Sequence, residues 1–217
     1  LLPHATINHM EDFVNILERA FGSGRPILLD EIRGAFPGMS EATLYRRLRN
    51  AVASSRLAKP RKGVYYIPIE TRFGPSTLSD AKILEKKYLT DGCEVYGYVT
   101  GLALENQIGI SNQVPGTLEI VTNRESTRSR RIEPYGGYRE ITLRRPKIPV
   151  NAGNVEALQL LDILTYAPVN RLAPDELARL KEFASKVDRQ KVVECAKRYP
   201  GKTALRLLES EANGVLA

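Results

Sequence analysis

A helix expected over residues 41–54 carries polar side chains of a particular kind along one face. At about 100° per residue, the outward-facing residues are Thr43, Arg46, Arg47 and Asn50. Arginine can bond guanine through two donors, asparagine can bond adenine in a similar way, and threonine can reach a base edge or a phosphate. These residue types at this spacing predict contact with the bases of double-stranded DNA.

The residues around this face are expected to cap and support the helix. Ser40 precedes it and can accept a backbone N–H bond as the N-cap. Arg49 lies at the flank, where a phosphate is the expected partner, and the Tyr45 hydroxyl can reach a phosphate while its ring packs. The opposite face is apolar and is expected to pack on earlier helices; it consists of Leu44, Leu48, Ala51 and Val52.

A basic hairpin is expected directly after this helix. Residues 56–59 and 64–67 favour strands, and Pro60-Arg61-Lys62-Gly63 between them favours a turn. The basic side chains at its tip are Lys59, Arg61 and Lys62. Amphipathic helices are expected at 11–21 and 27–36, so three helices precede the hairpin, which is the order of a winged helix-turn-helix.

Positive charge is concentrated in this part of the chain. Residues 40–62 contain seven basic side chains and one acidic side chain, an excess of six that nearly matches the net charge of +7. Attraction to phosphates requires such a concentration. The alternative is a solvated helix face, since arginine is a good helix former, but such a face usually mixes both signs at i,i+4 spacing.

The character of the sequence changes after the hairpin, which predicts two domains. We expect the first domain at residues 11–70 and the second at 71–217, joined through a polar connector at 68–77. Residues 1–10 are expected to be a disordered or cloning-derived tail.

The second domain is expected to combine strands with helices. The expected strands lie at 95–99, 118–122, near 132 and at 139–144. The expected helices lie at 79–89, 102–107, 155–166, 174–186, 188–199 and 202–212. Because strands come first and most helices follow, the fold class expected for the whole chain is α+β.

A second basic stretch lies within the expected strands. Its members are Arg124, Arg128, Arg130, Arg131, Arg139, Arg144, Arg145 and Lys147. The acidic residues interspersed among them are Glu125, Glu133 and Glu140. This surface is expected to extend the DNA footprint or to meet an acidic protein partner; the alternative is a solubilising sheet face.

The sequence offers little for catalysis, metal binding or membrane insertion. Both histidines lie in the first ten residues, and Cys93 and Cys195 are far apart, so we expect no enzyme, metal site or cofactor. Gly201-Lys202-Thr203 lacks the earlier glycine of a phosphate-binding loop, and Glu85-Lys86-Lys87 lies on an expected helix without an acidic partner. Since no segment is apolar enough to cross a membrane and no secretory signal is visible, we expect a cytoplasmic protein.

Three stretches resemble the AbiEi-type antitoxins of type IV toxin–antitoxin systems. The first ends the hairpin with Lys62-Gly63-Val64-Tyr65-Tyr66-Ile67-Pro68. The second runs from Tyr96-Gly97-Tyr98 to Leu104, and the third comprises Gln113-Val114-Pro115 and the strand 118–122. The similarity covers the chain from about residue 11 to its end, and most of its weight lies in the stretch from Tyr96-Gly97-Tyr98 to Val114-Pro115.

This resemblance implies a bacterial antitoxin that binds inverted repeats in its own promoter and represses it. The C-terminal domain would neutralise a nucleotidyltransferase-like toxin and present a positive face to DNA. Two alternatives remain open at this point. One is a winged-helix regulator without a toxin partner, and the less favoured one is a nuclease or nucleotidyltransferase.

Overall fold

The computed structural model describes residues 12–167 and 169–215, and it divides the chain into two compact units. The N-terminal unit is Leu1–Ile83 and the C-terminal unit is Leu84–Ala217. The division falls later than the boundary expected at residue 70, and the expected tail 1–10 lies outside the described residues. The structure is α+β, with helices at its C-terminal end, as predicted.

The N-terminal unit places three helices beside a small antiparallel sheet. The helices are α1 (Phe13–Phe21), α2 (Leu29–Ala35) and α3 (Glu41–Ala53). The strands are β1 (Ile27–Leu28), β2 (Ala58–Arg61) and β3 (Val64–Tyr66), in the order β1-β3-β2. The expected connector is not irregular throughout, because it contains a second hairpin of β4 (Glu70–Thr71) and β5 (Gly74–Pro75).

Two local predictions in this unit were wrong. Ile27 and Leu28 form a strand rather than the first turn of α2, because their backbone pairs with Tyr65 and Val64 in β3. The hairpin turn is also shorter than the four residues expected, since strand pairing extends to Arg61. The turn residues are therefore Lys62 and Gly63, and Gly63 has a φ of 72° in the left-handed region that favours glycine.

The helices of this unit bury one apolar side each. The aromatic rings of Phe13 on α1 and Phe36 after α2 stack at a centroid distance of 4.8 Å. Leu44, Leu48 and Ala51 of α3 are buried in the same core, which confirms the inward face predicted for this helix. Every residue of this core belongs to the N-terminal unit.

The C-terminal unit is built on a mixed four-stranded sheet. Its strands are β8 (Gly97–Thr100), β9 (Thr117–Thr122), β10 (Ser129–Ile132) and β11 (Glu140–Arg144), in the order β10-β11-β9-β8. Strands β9 and β11 are parallel, and the other neighbours are antiparallel. A short hairpin of β6 (Thr90–Asp91) and β7 (Glu94–Val95) precedes β8.

The remaining helices begin at Asp80, near the boundary between the two units, and fill the end of the chain. They are α4 (Asp80–Leu84), a π-helical segment Glu85–Leu89, α5 (Leu102–Gln107), α6 (Val155–Tyr166), a 3-10 turn Val169–Arg171, α7 (Pro174–Ala184), α8 (Arg189–Ala196) and α9 (Gly201–Ala212). Helix α6 is the central one, because residues on nearly all of its sides are buried. Among the described residues, no helix has the length and apolar character needed to cross a membrane.

Two predicted elements of this unit are interrupted. The helix expected at 79–89 changes to π-helical geometry at Glu85, and the strand expected at 95–99 breaks at Tyr96. The Tyr96 backbone N–H donates to the Leu89 carbonyl at 2.9 Å instead of joining the ladder. Beside it, a Cβ added to Gly97 would lie 1.9 Å from the Tyr88 carbonyl oxygen, so only glycine allows β8 to approach the π-helical segment this closely.

Candidate nucleic-acid interface

Helix α3 begins at a well-defined cap. The Ser40 hydroxyl oxygen accepts the Thr43 backbone N–H at 3.3 Å, as predicted for the N-cap. The Ser40 hydroxyl also donates to the Thr43 hydroxyl at 3.0 Å. This bond occupies one acceptor position of Thr43, whose side chain is half-buried. Thr43 is therefore held in place at the helix start rather than projecting freely.

The outward face of α3 carries arginine and asparagine side chains that have no fixed partner among the described residues. Arg46, Arg49 and Asn50 are exposed, and none of their side chains pairs with a residue that the structure describes. Arg47 is exposed as well, but its guanidinium carbon lies 6.0 Å from the centre of the Phe13 ring on α1. The face is thus an array of hydrogen-bond donors, with Arg47 directed partly toward a neighbouring helix.

The acidic residue on α3 is neutralised from α2. Arg33 donates to the Glu41 carboxylate at 2.8 Å and to Asp30 at 2.6 Å. These two hydrogen bonds raise the pKa of the Arg33 guanidinium. Arg33 also donates to the Tyr45 hydroxyl oxygen at 3.1 Å, which leaves that hydroxyl hydrogen available for a phosphate. Glu41 consequently opposes the positive face of α3 less than its formal charge suggests.

The three basic residues of the hairpin lie in different environments. Lys62 occupies the turn, is exposed and pairs with no described residue. The Lys59 ammonium lies 5.7 Å from the centre of the Tyr65 ring. Arg61 donates to the Asp80 carboxylate at 3.3 Å, a pairing within the N-terminal unit. Lys62 is therefore the hairpin cation best placed for a phosphate, whereas Arg61 connects the hairpin to the start of α4.

The second basic stretch is not one continuous free surface. Arg124 is the clearest case, because its guanidinium stacks 3.7 Å from the centre of the Tyr96 ring. It also donates to the carbonyl of Lys86 at 2.9 Å and to that of Lys87 at 3.1 Å, so it satisfies backbone acceptors of the π-helical segment. This arginine therefore supports the fold.

Other arginines of this stretch are bound by acidic neighbours. Arg130 donates to the buried Glu125 at 2.8 Å, and Arg131 donates to Glu140 at 3.1 Å. Burial acts to raise the pKa of Glu125, but hydrogen bonds from Thr127 and Arg130 outweigh it and lower that pKa. Among the eight residues of the stretch, those that pair with no described residue are Arg128, Arg139 and Arg145.

The C-terminal unit contains a buried polar cluster that was not predicted from the sequence. Its centre is Asp162 on α6, whose side chain is buried although it carries a carboxylate. One carboxylate oxygen accepts from the hydroxyls of Tyr98 and Thr100 at 3.0 Å each. The other accepts from the Tyr199 hydroxyl at 3.0 Å and lies 3.7 Å from the Lys147 ammonium. The one sequence feature that indicates this cluster is an acidic residue within the otherwise apolar stretch of α6.

The two motifs considered for nucleotide or metal chemistry lie at the starts of helical segments. Gly201-Lys202-Thr203 opens α9, and the Thr203 hydroxyl is buried 2.9 Å from that of Thr165. Lys86 of the Glu85-Lys86-Lys87 motif pairs with Asp91 at 2.6 Å. Within residues 12–167 and 169–215, no group of three or more His, Cys, Asp or Glu side chains is arranged to hold a metal ion.

Comparison with known proteins gives no family assignment. No protein-family model matches the sequence, and no curated protein matches it. Among solved structures, the chain is similar to the crystal structure of the RV2827C protein from Mycobacterium tuberculosis. The TM-score is 0.45 at 13% sequence identity, and the match covers 94% of this chain and 75% of that chain. A similarity of this size supports no functional inference.

Proposed function

We propose that residues 12–83 bind double-stranded DNA as a winged helix-turn-helix, with α3 as the recognition helix and the β2–β3 hairpin as the wing. The observation that carries this proposal is the outward face of α3, where Arg46, Arg49 and Asn50 have no partner among the described residues. The order of three helices and the hairpin, and the β1-β3-β2 sheet, support it.

The residues of α3 and of the wing have different roles in the proposed complex with DNA. Arg46 and Asn50 are the candidates for base contacts, because their side chains can each form two hydrogen bonds in the major groove. Arg49 and Lys62 are the candidates for phosphate contacts, which fix the position of the protein without reading sequence. The Arg33–Glu41 pair lowers the repulsion between α3 and the phosphates, since it offsets the acidic charge in the first turn.

A titration of DNA tests the proposal directly. The probe is the duplex upstream of the gene, labelled for fluorescence anisotropy, with unlabelled competitor DNA at near-physiological salt. We expect the double substitution Arg46→Ala and Asn50→Ala to remove sequence-specific binding, at a cost of about 1–3 kcal/mol for each lost base contact. Lys62→Ala should weaken specific and non-specific binding alike and reduce the slope of log K against log salt by about one.

Arg25→Ala is the matched control for these variants. Arg25 is exposed and follows Gly24, which donates to the Ile67 carbonyl at the end of β3 away from the Lys62–Gly63 turn. This variant loses the same charge as Lys62→Ala but should keep specific binding. Wild-type affinity in the α3 double variant would disprove the role of α3. An equal loss in all variants would show that only overall charge matters.

We further propose that the protein is a transcriptional autoregulator with antitoxin activity. The support is the resemblance of the Tyr96–Leu104 segment and its surroundings to AbiEi-type antitoxins. The separate core of the C-terminal unit is consistent with a second activity of its own. Relief of growth arrest on co-expression with a toxic neighbouring gene product would support this role. Repression without such relief would leave a regulator that has no toxin partner.

A further inference from the structure

A cavity in the C-terminal unit is lined by four basic side chains. It lies beside the segment that follows β11 and beside the C-terminal ends of α6 and α8. Its volume is about 530 Å³, which is in the range of small-molecule sites and sufficient for a mononucleotide. The lining side chains that matter for its chemistry are Arg128, Arg144, Arg145, Lys147, Asp162 and Tyr166.

Two of the four cations in this cavity are uncommitted. Arg144 donates to Glu119 at 2.5 Å, and Lys147 lies beside Asp162 and 3.8 Å from the centre of the Tyr199 ring. Arg128 and Arg145, in contrast, are exposed and pair with no residue that the structure describes. Guanidinium groups bind phosphate through paired, charge-assisted hydrogen bonds, so an anion with several oxygens fits this pair.

The carboxylate in the cavity wall does not cancel this positive charge. The oxygens of Asp162 already accept three hydroxyl bonds, and its charge is balanced by the Lys147 ammonium. This network is therefore complete without a ligand. The charge that remains for a ligand is therefore that of Arg128 and Arg145.

An exposed aromatic ring completes the site. Tyr166 ends α6, lines the cavity and is 57% exposed. Its hydroxyl lies 3.5 Å from the Arg144 guanidinium at the edge of the cavity. A ring in this position offers a surface on which a nucleobase can stack.

We propose that this cavity binds a nucleoside phosphate, with the phosphate on Arg128 and Arg145 and the base on Tyr166. The same chemistry is present in a free mononucleotide and in the 5′-phosphorylated end of a nucleic-acid strand. The proposal is independent of DNA binding by α3, because all the residues involved belong to the C-terminal unit.

Calorimetric titration of the full chain tests the proposal. The probes are the four nucleoside 5′-monophosphates, the corresponding nucleosides, inorganic phosphate, and a tetranucleotide with either a 5′-phosphate or a 5′-hydroxyl. At least one monophosphate should bind more tightly than its nucleoside and than phosphate alone. Tighter binding of the 5′-phosphorylated tetranucleotide assigns the site to strand ends, and tighter binding of the mononucleotide assigns it to free nucleotides.

Variants locate the binding site within the unit. Arg128→Ala and Arg145→Ala should each weaken the monophosphate about tenfold or more, as expected for one charge-assisted hydrogen bond. Tyr166→Leu should weaken the monophosphate while leaving inorganic phosphate unchanged. Arg139→Ala is the matched control, because Arg139 is also exposed and unpaired among the described residues but lies at the opposite end of β11 from Arg144.

Three results would overturn the proposal. The first is the absence of binding, at millimolar concentration, of every monophosphate and of both tetranucleotides. The second is equal binding of the 5′-phosphorylated and 5′-hydroxyl tetranucleotides together with no monophosphate binding, which would indicate contact with the nucleic-acid backbone only. The third is an equal loss of affinity in Arg139→Ala and Arg145→Ala, which would indicate a general effect of charge.

Discussion

Asp162 shows how one buried charge organises the C-terminal unit. Its carboxylate is 5% exposed and accepts hydrogen bonds from side chains on β8 and from Tyr199 after α8. Burying an ionised carboxylate is unfavourable unless all of its oxygens are satisfied, and here they are. The cluster therefore joins the sheet to the helices through one defined arrangement of donors.

Replacing Asp162 by alanine should be strongly destabilising. The Tyr98, Thr100 and Tyr199 hydroxyls would lose their acceptor, and Lys147 would lose its counter-ion. We expect the free energy of unfolding of the C-terminal unit to fall by about 2–5 kcal/mol, measured by urea denaturation. Asp175→Ala, at an exposed position in the first turn of α7, is the control and should change stability by less than about 1 kcal/mol. Similar values for the two variants would contradict this role of Asp162.

The tyrosines of this cluster should make stability depend on alkaline pH. Burial, followed by the neighbouring Asp162 carboxylate, raises the pKa of both Tyr98 and Tyr199. A phenol with a raised folded-state pKa contributes stability that is complete below its unfolded pKa of about 10 and is lost as pH rises toward the folded value. We expect urea midpoints to decrease above pH of about 10, and this decrease to be smaller in Tyr98→Phe. An identical pH dependence in wild type and variant would refute the assignment.

At the level of elements, close approach of backbones fixes the start of the central sheet. Gly97 of β8 lies against the Tyr88 carbonyl oxygen, and Tyr96 beside it packs under Arg124. Much of the Tyr96-Gly97-Tyr98 pattern that carries the family resemblance thus has a structural explanation. Tyr96 and Gly97 dock the π-helical segment on the sheet, and Tyr98 donates to Asp162.

Gly97→Ala should disrupt this docking. The added methyl group would lie 1.9 Å from the Tyr88 oxygen and 2.8 Å from the Val121 oxygen, both of which are backbone atoms that cannot move alone. We expect a loss of about 1–3 kcal/mol or more in the free energy of unfolding, measured by chemical denaturation. Gly116→Ala is the control, because its nearest neighbour lies 3.9 Å away and belongs to a flexible side chain. A neutral Gly97→Ala variant would show that the segment is not packed as described.

At the level of the whole molecule, each of the two units has a hydrophobic cluster of its own among the described residues. One core is formed only by residues of the N-terminal unit and includes Leu48 of α3. The other is formed only by residues of the C-terminal unit and includes Leu160 of α6. Because each cluster consists of residues of one unit, we expect damage to a cluster to lower the stability of its own unit more than that of the other.

Leucine-to-alanine substitutions can test this independence. Both Leu48 and Leu160 are fully buried, so each substitution should cost about 2–5 kcal/mol through lost burial and the remaining cavity. Hydrogen exchange should show faster exchange in residues 12–83 for Leu48→Ala and in residues 84–215 for Leu160→Ala. Faster exchange across both units in either variant would mean that the two cores unfold together.

The sequence by itself determined the features that depend on local pattern. Helical spacing and the Ser40 cap predicted α3 with its inward leucines, and the bounds of α5 and α6 were also predicted correctly. Apolar periodicity and capping act over one or two turns, so a single stretch of sequence contains enough information to predict them. The α+β class followed from the order of these elements.

Only the tertiary structure decided which residues distant in sequence contact one another. Ile27 and Leu28 became a strand because β3 offered backbone partners, and Arg124 became a structural residue because the Lys86 carbonyl lies beside it. The tertiary structure likewise decided which arginines remain available to a ligand. Charge and residue type are local properties, but the pairing of a cation depends on which carboxylates and carbonyls the fold brings within hydrogen-bond distance.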